Sequence, residues 1–147
     1  MPDCGISTDV IAGFCGETEK QHQETLSLME SVKYDFAYMF KYSERPNTLA
    51  QRKYADDVSE QVKTKRLTEI IELQQKHSHY RNKLAVGNLH QVLIEGTSKR
   101  SDKQFFGRNT QNTVIVFPKK ENIKKGDYVN VMVKECTAAT LIGGIVE

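Results

Sequence analysis

Residues 92–112 read V-L-I-E-G-T-S-K-R-S-D-K-Q-F-F-G-R-N-T-Q-N. An apolar run, Val92-Leu93-Ile94, ends in a polar turn that carries Lys99 and Arg100. Two adjacent aromatics, Phe105 and Phe106, then precede Gly107 and a third cation, Arg108. The pattern is that of a hairpin whose chemistry suits a nucleic-acid surface. Cations neutralise phosphate, and aromatics either fill the interior or stack on bases. The competing reading is an ordinary hairpin with a solvated turn.

Working outward, Leu89–Glu95, Gln104–Gly107, Thr113–Phe117, Tyr128–Glu135 and Thr140–Ile145 are five candidate strands. Val114-Ile115-Val116-Phe117 shows the β-branched enrichment of strands. Val129, Val131 and Val133 alternate with Asn130, Met132 and Lys134, which buries one face. Glycine or polar turns separate the runs. Short strands at this spacing predict a small antiparallel β-barrel of the oligonucleotide-binding type, closed or partly open. The interior of such a barrel is filled by side chains, so function belongs to its outer face and loops.

Upstream the periodicity differs. Residues 6–13 (I-S-T-D-V-I-A-G) read as a short strand followed by a glycine-bearing loop, Gly13-Phe14-Cys15-Gly16. Thr18-Glu19-Lys20-Gln21 has the capping-box form and should open a helix to about Val32, with Leu26, Met29 and Val32 on one face. Phe36–Tyr42 is a second strand, apolar through its first five residues, as in a parallel strand covered on both faces. A loop at residues 43–48 follows, where Asn47 tolerates positive φ. Asp57 can cap a long helix reaching about Asn82, with Val62, Leu67, Ile70, Ile71 and Leu73 on a buried stripe. His77 and His79 do not share a helix face, so a solvated helix end is expected there and no metal site. Two parallel strands with one crossover helix bury little apolar area, so this half reads as part of a larger α/β sheet or barrel.

The 147 residues suffice for one domain or two small ones. Cys4, Cys15 and Cys136 form no C-x-x-C, which argues against a disulfide framework. No apolar run reaches membrane-span length and no signal-peptide pattern is present, so a cytoplasmic protein is expected. Charge is asymmetric. Residues 1–82 carry 11 Lys+Arg and 13 Asp+Glu, a net of −2, whereas residues 83–147 carry 10 and 6, a net of +4. The basic half is the one expected to meet a polyanion.

Four stretches, taken together, resemble the radical-SAM methylthiotransferases, in particular their tRNA-modifying type. T-D-V-I-A-G-F-C-G-E-T (Thr8–Thr18) is similar to that family's T-D-x-I-x-G-F-P-G-E-T. Residues 40–50 are similar to its F-x-Y-S-x-R-P-G-T-x-A, and Arg66 to Gln74 to its R-L-x-x-L-x-x-L-Q helix. Glu95-Gly96-Thr97-Ser98-Lys99-Arg100, with Gly107-Arg108-Asn109, resembles the start of its TRAM domain. Cys15 stands where the family has proline, and Asn47 where it has glycine.

The resemblance implies an α+β chain. Residues 1–55 would be the end of a radical-SAM α/β barrel, 56–82 a connecting helix, and 83–147 the TRAM β-barrel. It also implies cofactors, S-adenosylmethionine and two [4Fe–4S] clusters, for an enzyme that methylthiolates C2 of N6-isopentenyladenosine next to the anticodon. Clusters need sets of thiolates, and three scattered cysteines cannot supply them, so the chain alone is expected to be inactive. Ile11, Gly13, Phe40 and Tyr42 match positions near S-adenosylmethionine. Arg45 would meet substrate or that cofactor at the barrel mouth. Lys99, Arg100 and Arg108 would contact phosphates of the tRNA anticodon stem-loop, while Lys119, Lys120, Lys124 and Lys125 read as a solvated charge run with secondary RNA attraction. The alternatives are the ribosomal-protein-modifying branch of the family and a stand-alone RNA-binding barrel. Exposed strand edges in the first half favour association with another copy of the chain.

Overall fold

The computed structural model describes residues 3–146. The chain forms two compact units: Ser7–His77, and Ser78–Glu147 together with Met1–Ile6.

In the first unit, β1 (Ser7–Ala12) and β2 (Phe36–Lys41) pair in parallel, Val10 opposite Met39 and Ile11 opposite Phe40. They are joined by α1 (Glu19–Val32). The capping box forms in full: Thr18 accepts from the Gln21 N–H, and the Gln21 side chain accepts from the Thr18 N–H at 2.9 Å. Lys33 ends the helix in the left-handed region. A short helix that the sequence did not announce, α2 (Leu49–Lys53), follows the turn in which Asn47 has φ 65°. The long helix α3 runs Glu60–Ala85. Ala12, Met29 and Ile70 form the core, packed by Val10, Met39, Leu26 and Leu67. Both helices therefore cover one face of the two strands. Ile11, Tyr38 and Phe40 on the opposite face are exposed, against the expectation that β2 is covered on both sides.

Three further expectations are corrected. α3 is capped by Ser59, whose Oγ and carbonyl accept from Val62 and Lys63, and Asp57 instead accepts from the Gly16 N–H at 2.7 Å. The buried stripe of α3 is mostly polar: Lys63, Arg66, Ile70, Gln74 and His77. His77 is not a solvated end residue, because its Nε2 lies 3.1 Å from Glu30. Likewise His22 of α1 is fully buried, 2.6 Å from Glu69. Spacings of three and four residues place the stripe on one face whatever its chemistry, and acidic partners on neighbouring elements make it tolerable to bury.

Those charges fix the loop after β1. Glu17 Oε2 accepts from the Gly13 N–H at 2.7 Å and from Arg66 at 2.9 Å, and Arg66 also donates to the Glu17 carbonyl. Gly13 has φ 74°, and a Cβ there would lie 2.4 Å from Lys63 Cγ. Glycine is thus required twice over, by conformation and by the lysine stem beneath it.

In the second unit, β3 (Leu89–Thr97), β4 (Gln104–Asn109), β5 (Val114–Pro118), β6 (Tyr128–Cys136) and β7 (Leu141–Ile145) close a barrel in the order β3-β4-β5-β7-β6. All five lie within two residues of their expected bounds. The barrel is not wholly antiparallel: β5 and β7 are parallel. A closed ring with an odd number of strands must contain a parallel neighbour pair, and β7 supplies it by turning back along β6. Val92, Ile94, Phe105, Ile115, Phe117, Val131, Val133 and Leu141 fill the interior. Asn82 near the end of α3 donates to the Thr137 and Ala138 carbonyls.

Gly107 pairs with Ile94 of β3, and a Cβ there would come 2.2 Å from the Leu93 carbonyl oxygen. Gly107→Ala should therefore destabilise the barrel by about 1–3 kcal/mol, read as a lower denaturant midpoint. Arg66→Ala leaves the partly buried Glu17 without its cation. It should cost less than the roughly 3–5 kcal/mol of a fully buried pair, and hydrogen exchange at Gly13 should quicken as the loop loosens.

Candidate functional site

The β3–β4 turn is built by serines. The Ser98 N–H closes it by donating to the Gln104 carbonyl at 2.9 Å, and the Ser98 and Ser101 hydroxyls accept from the Arg100 and Lys103 N–H groups. Backbone polarity is satisfied locally, so the Lys99 and Arg100 side chains project into solvent. Neither has an ion-pair partner among the described residues, and both charges remain available to an anion. Arg108 differs. Its Nε lies 3.3 Å from Glu95 and its guanidinium donates to the Asn112 carbonyl at 2.9 Å, so much of its capacity is spent on the β4–β5 turn. Phe105 fills the barrel, with the Lys119 ammonium 5.1 Å from its ring centroid, whereas Phe106 is half-buried. Of the two roles open to the aromatics, Phe105 takes the interior one.

The first unit brings Ile11 and Phe40 together as cross-strand partners on an exposed apolar face. Tyr42 is elsewhere. It extends β2 by donating its N–H to the Ala12 carbonyl at 2.8 Å, and its buried ring packs edge-on against Phe14, 5.0 Å away, and under Lys63. Contact with Cys15, then burial, raise the Tyr42 phenol above its ordinary pKa. The Gly13 N–H is already held by Glu17. Arg45 lies exposed in the loop, its carbonyl accepting from Thr48, and has no ion-pair partner among the described residues. Ile11, Phe40 and Arg45 are accessible to a ligand, and Gly13 and Tyr42 shape the loop and strand end behind them.

Sequence reading missed Lys63, which is fully buried between Asp56 at 2.7 Å and Glu60 at 3.1 Å. Burial pushes its ammonium pKa down, but the hydrogen bonds it donates to Asp56 and Glu60 more than offset this, and the group is held above its ordinary value. Glu60 is held below the usual carboxylate range by hydrogen bonds from Lys41 and then Lys63. The available signal was the placement of Lys63, Arg66 and Ile70 on one helix face.

S-adenosylmethionine fits this donor set in part, since Ile11 and Phe40 offer an apolar face and Arg45 a free cation. Iron–sulfur clusters do not fit: among the described residues no group of three or more Cys, His, Asp or Glu side chains could hold a metal.

Residues 83–146 match the TRAM domain family. Beyond the barrel, 143 residues (97% of the chain) are 59% identical to a tRNA-2-methylthio-N(6)-dimethylallyladenosine synthase of Amoebophilus asiaticus, covering 29% of that protein. The synthases of Christiangramia forsetii and Flavobacterium johnsoniae are 57% and 56% identical over the same share of the chain, which covers 30% of each. The chain thus spans about 30% of the length of the curated relatives it matches. Identity above one half, continuous through both structural units, makes the whole chain similar to about 30% of these tRNA-2-methylthio-N(6)-dimethylallyladenosine synthases, and its barrel is the part that matches the TRAM domain family.

Proposed function

We propose that this chain is the RNA-holding part of a cytoplasmic tRNA methylthiotransferase acting at C2 of N6-isopentenyladenosine next to the anticodon. The observation that carries the reading is whole-chain identity to synthases of that name, running through residues 7–77 as well as the barrel. That continuity weighs against a stand-alone RNA-binding barrel, and the relatives' names weigh against the ribosomal-protein branch.

In this reading the barrel grips the anticodon stem-loop by its phosphates. Lys99 and Arg100 bear the contact, since their charges are exposed and unpaired, and Arg108 adds less because Glu95 competes for it. In the first unit, Ile11 and Phe40 would lie along the apolar part of S-adenosylmethionine, and Arg45 would meet the cofactor's carboxylate or the RNA. When bound, that cofactor supplies the methyl group and the radical that abstracts hydrogen. The chain's own residues bind and orient. Among the described residues no side-chain group could hold an iron–sulfur cluster, so cluster chemistry would belong to other parts of such an enzyme.

The test is binding of the chain to an anticodon stem-loop across a salt series. Each phosphate contact contributes about 0.7–0.9 to the slope of log affinity against log salt. Replacing both Lys99 and Arg100 by alanine should flatten it by about 1.4–1.8, and Arg108→Ala should flatten it by less than either single change. Salt-independent binding, or an unchanged slope in the double variant, overturns the assignment. In cells, the same double variant should lower the 2-methylthio-N6-isopentenyladenosine content of tRNA measured by mass spectrometry.

A further inference from the structure

The strand registers bring a second basic segment to the end of the barrel that carries the Lys99–Arg100 turn. The Lys119 N–H donates to the Lys103 carbonyl at 2.9 Å, the Gly126 N–H to the Ile94 carbonyl at 2.9 Å, and the Ile94 N–H to the Asp127 carbonyl at 3.0 Å. The turn at 98–103 and the loop at 119–127 therefore share one rim. The turn carries three cations and one acid, and the loop four cations and two acids. A rim this rich in cations is charge-complementary to a phosphate backbone and poorly suited to a neutral partner.

Directly after the loop, Tyr128 opens β6. It pairs with Leu93 of β3, which pairs on its other side with Arg108 of β4. Val92 and Ile94 point into the barrel, so Leu93 points out, and Tyr128, Leu93 and Arg108 form one row across the outer face. At 66% exposure, Tyr128 is the most exposed of the large hydrophobic side chains described. An aromatic so placed contributes little to the core. Beside a cationic rim it offers what a base needs: a flat apolar surface within reach of its own phosphates.

We propose that Tyr128 is a stacking platform for an unpaired nucleobase, and that Lys124 and Lys125 on the adjoining loop hold the backbone of the same RNA strand. This rests on the reading that the barrel binds RNA, and it adds the residue that receives an unpaired base, which a continuous duplex does not offer. Duplex RNA presents phosphates to the rim but keeps its bases stacked within the helix, where Tyr128 cannot reach them.

Two RNAs of equal length, a hairpin with an unpaired loop and a fully paired duplex, separate the contributions. Tyr128→Ala should weaken hairpin binding by about 5- to 150-fold, the usual span for losing one stacked base. Its salt slope and its affinity for the duplex should not change. Tyr128→Phe should retain the wild-type affinity, since the ring and not the hydroxyl is used. Lys124→Ala combined with Lys125→Ala should flatten the salt slope by about 1.4–1.8 on both RNAs. Loss by Tyr128→Ala equal on both RNAs, no loss on either, or failure of Tyr128→Phe to restore binding overturns the stacking role. If the wild-type chain binds neither RNA, the broader function falls with it. If it binds both while Tyr128→Ala is silent, only the present inference fails.

Discussion

Five strands arranged in a ring cannot alternate direction all the way round. The barrel resolves this with the single parallel pair β5–β7, and closure follows. Closure removes free sheet edges from this unit, and it draws eight large apolar side chains into an interior too small for a ligand. The charged side chains of the strands and turns are displaced to the rim and the outer face, while Asn109 stays buried. The location of the candidate RNA contacts on a turn, a loop and an outward row is a direct result of that exclusion.

The other unit obeys a different constraint. Its two strands and helices share one small apolar core, and α3 contributes chiefly charged and polar groups to the buried side. Lys63 and Arg66 are satisfied by carboxylates: Asp56 just before α3, Glu60 one turn earlier on the same helix, and Glu17 of the loop before α1. Such pairs add little net stability over an apolar equivalent, yet losing one member strands its partner in a dry site. They therefore select geometry: the loop between β1 and α1 has one conformation in which Glu17 reaches both the Gly13 N–H and Arg66. The exposed apolar face of β1 and β2 is held steady from behind by this arrangement.

The barrel was legible in the sequence because its signals are local. Alternating valines in residues 129–133, glycine-bearing turns and β-branched runs each depend on neighbours one or two positions away. The capping box at Thr18 was legible for the same reason. Polarity, by contrast, misled along α3. Hydrophobic periodicity pointed to Val62, which is exposed, and passed over Lys63 and Arg66, which are buried, since the carboxylates that make their burial tolerable are supplied partly by distant segments. His22 and His77 were hidden likewise, each paired with a glutamate 47 positions away in the chain. Of the candidate site, Lys99 and Arg100 could be read directly from residues 92–112. Tyr128 could not, because its significance lies in a cross-strand neighbour that only the register discloses.

The stem of Lys63 beneath Gly13 ties two positions fifty residues apart into one mutational unit. A methyl group at position 13 has no room unless position 63 is shortened, and a shortened residue at 63 abandons Asp56 and Glu60. Single substitutions at either place meet a penalty that the other site sets, so their effects should not add. Any lineage that relaxes the glycine must cross that epistatic barrier by altering the helix face and its acidic partners together.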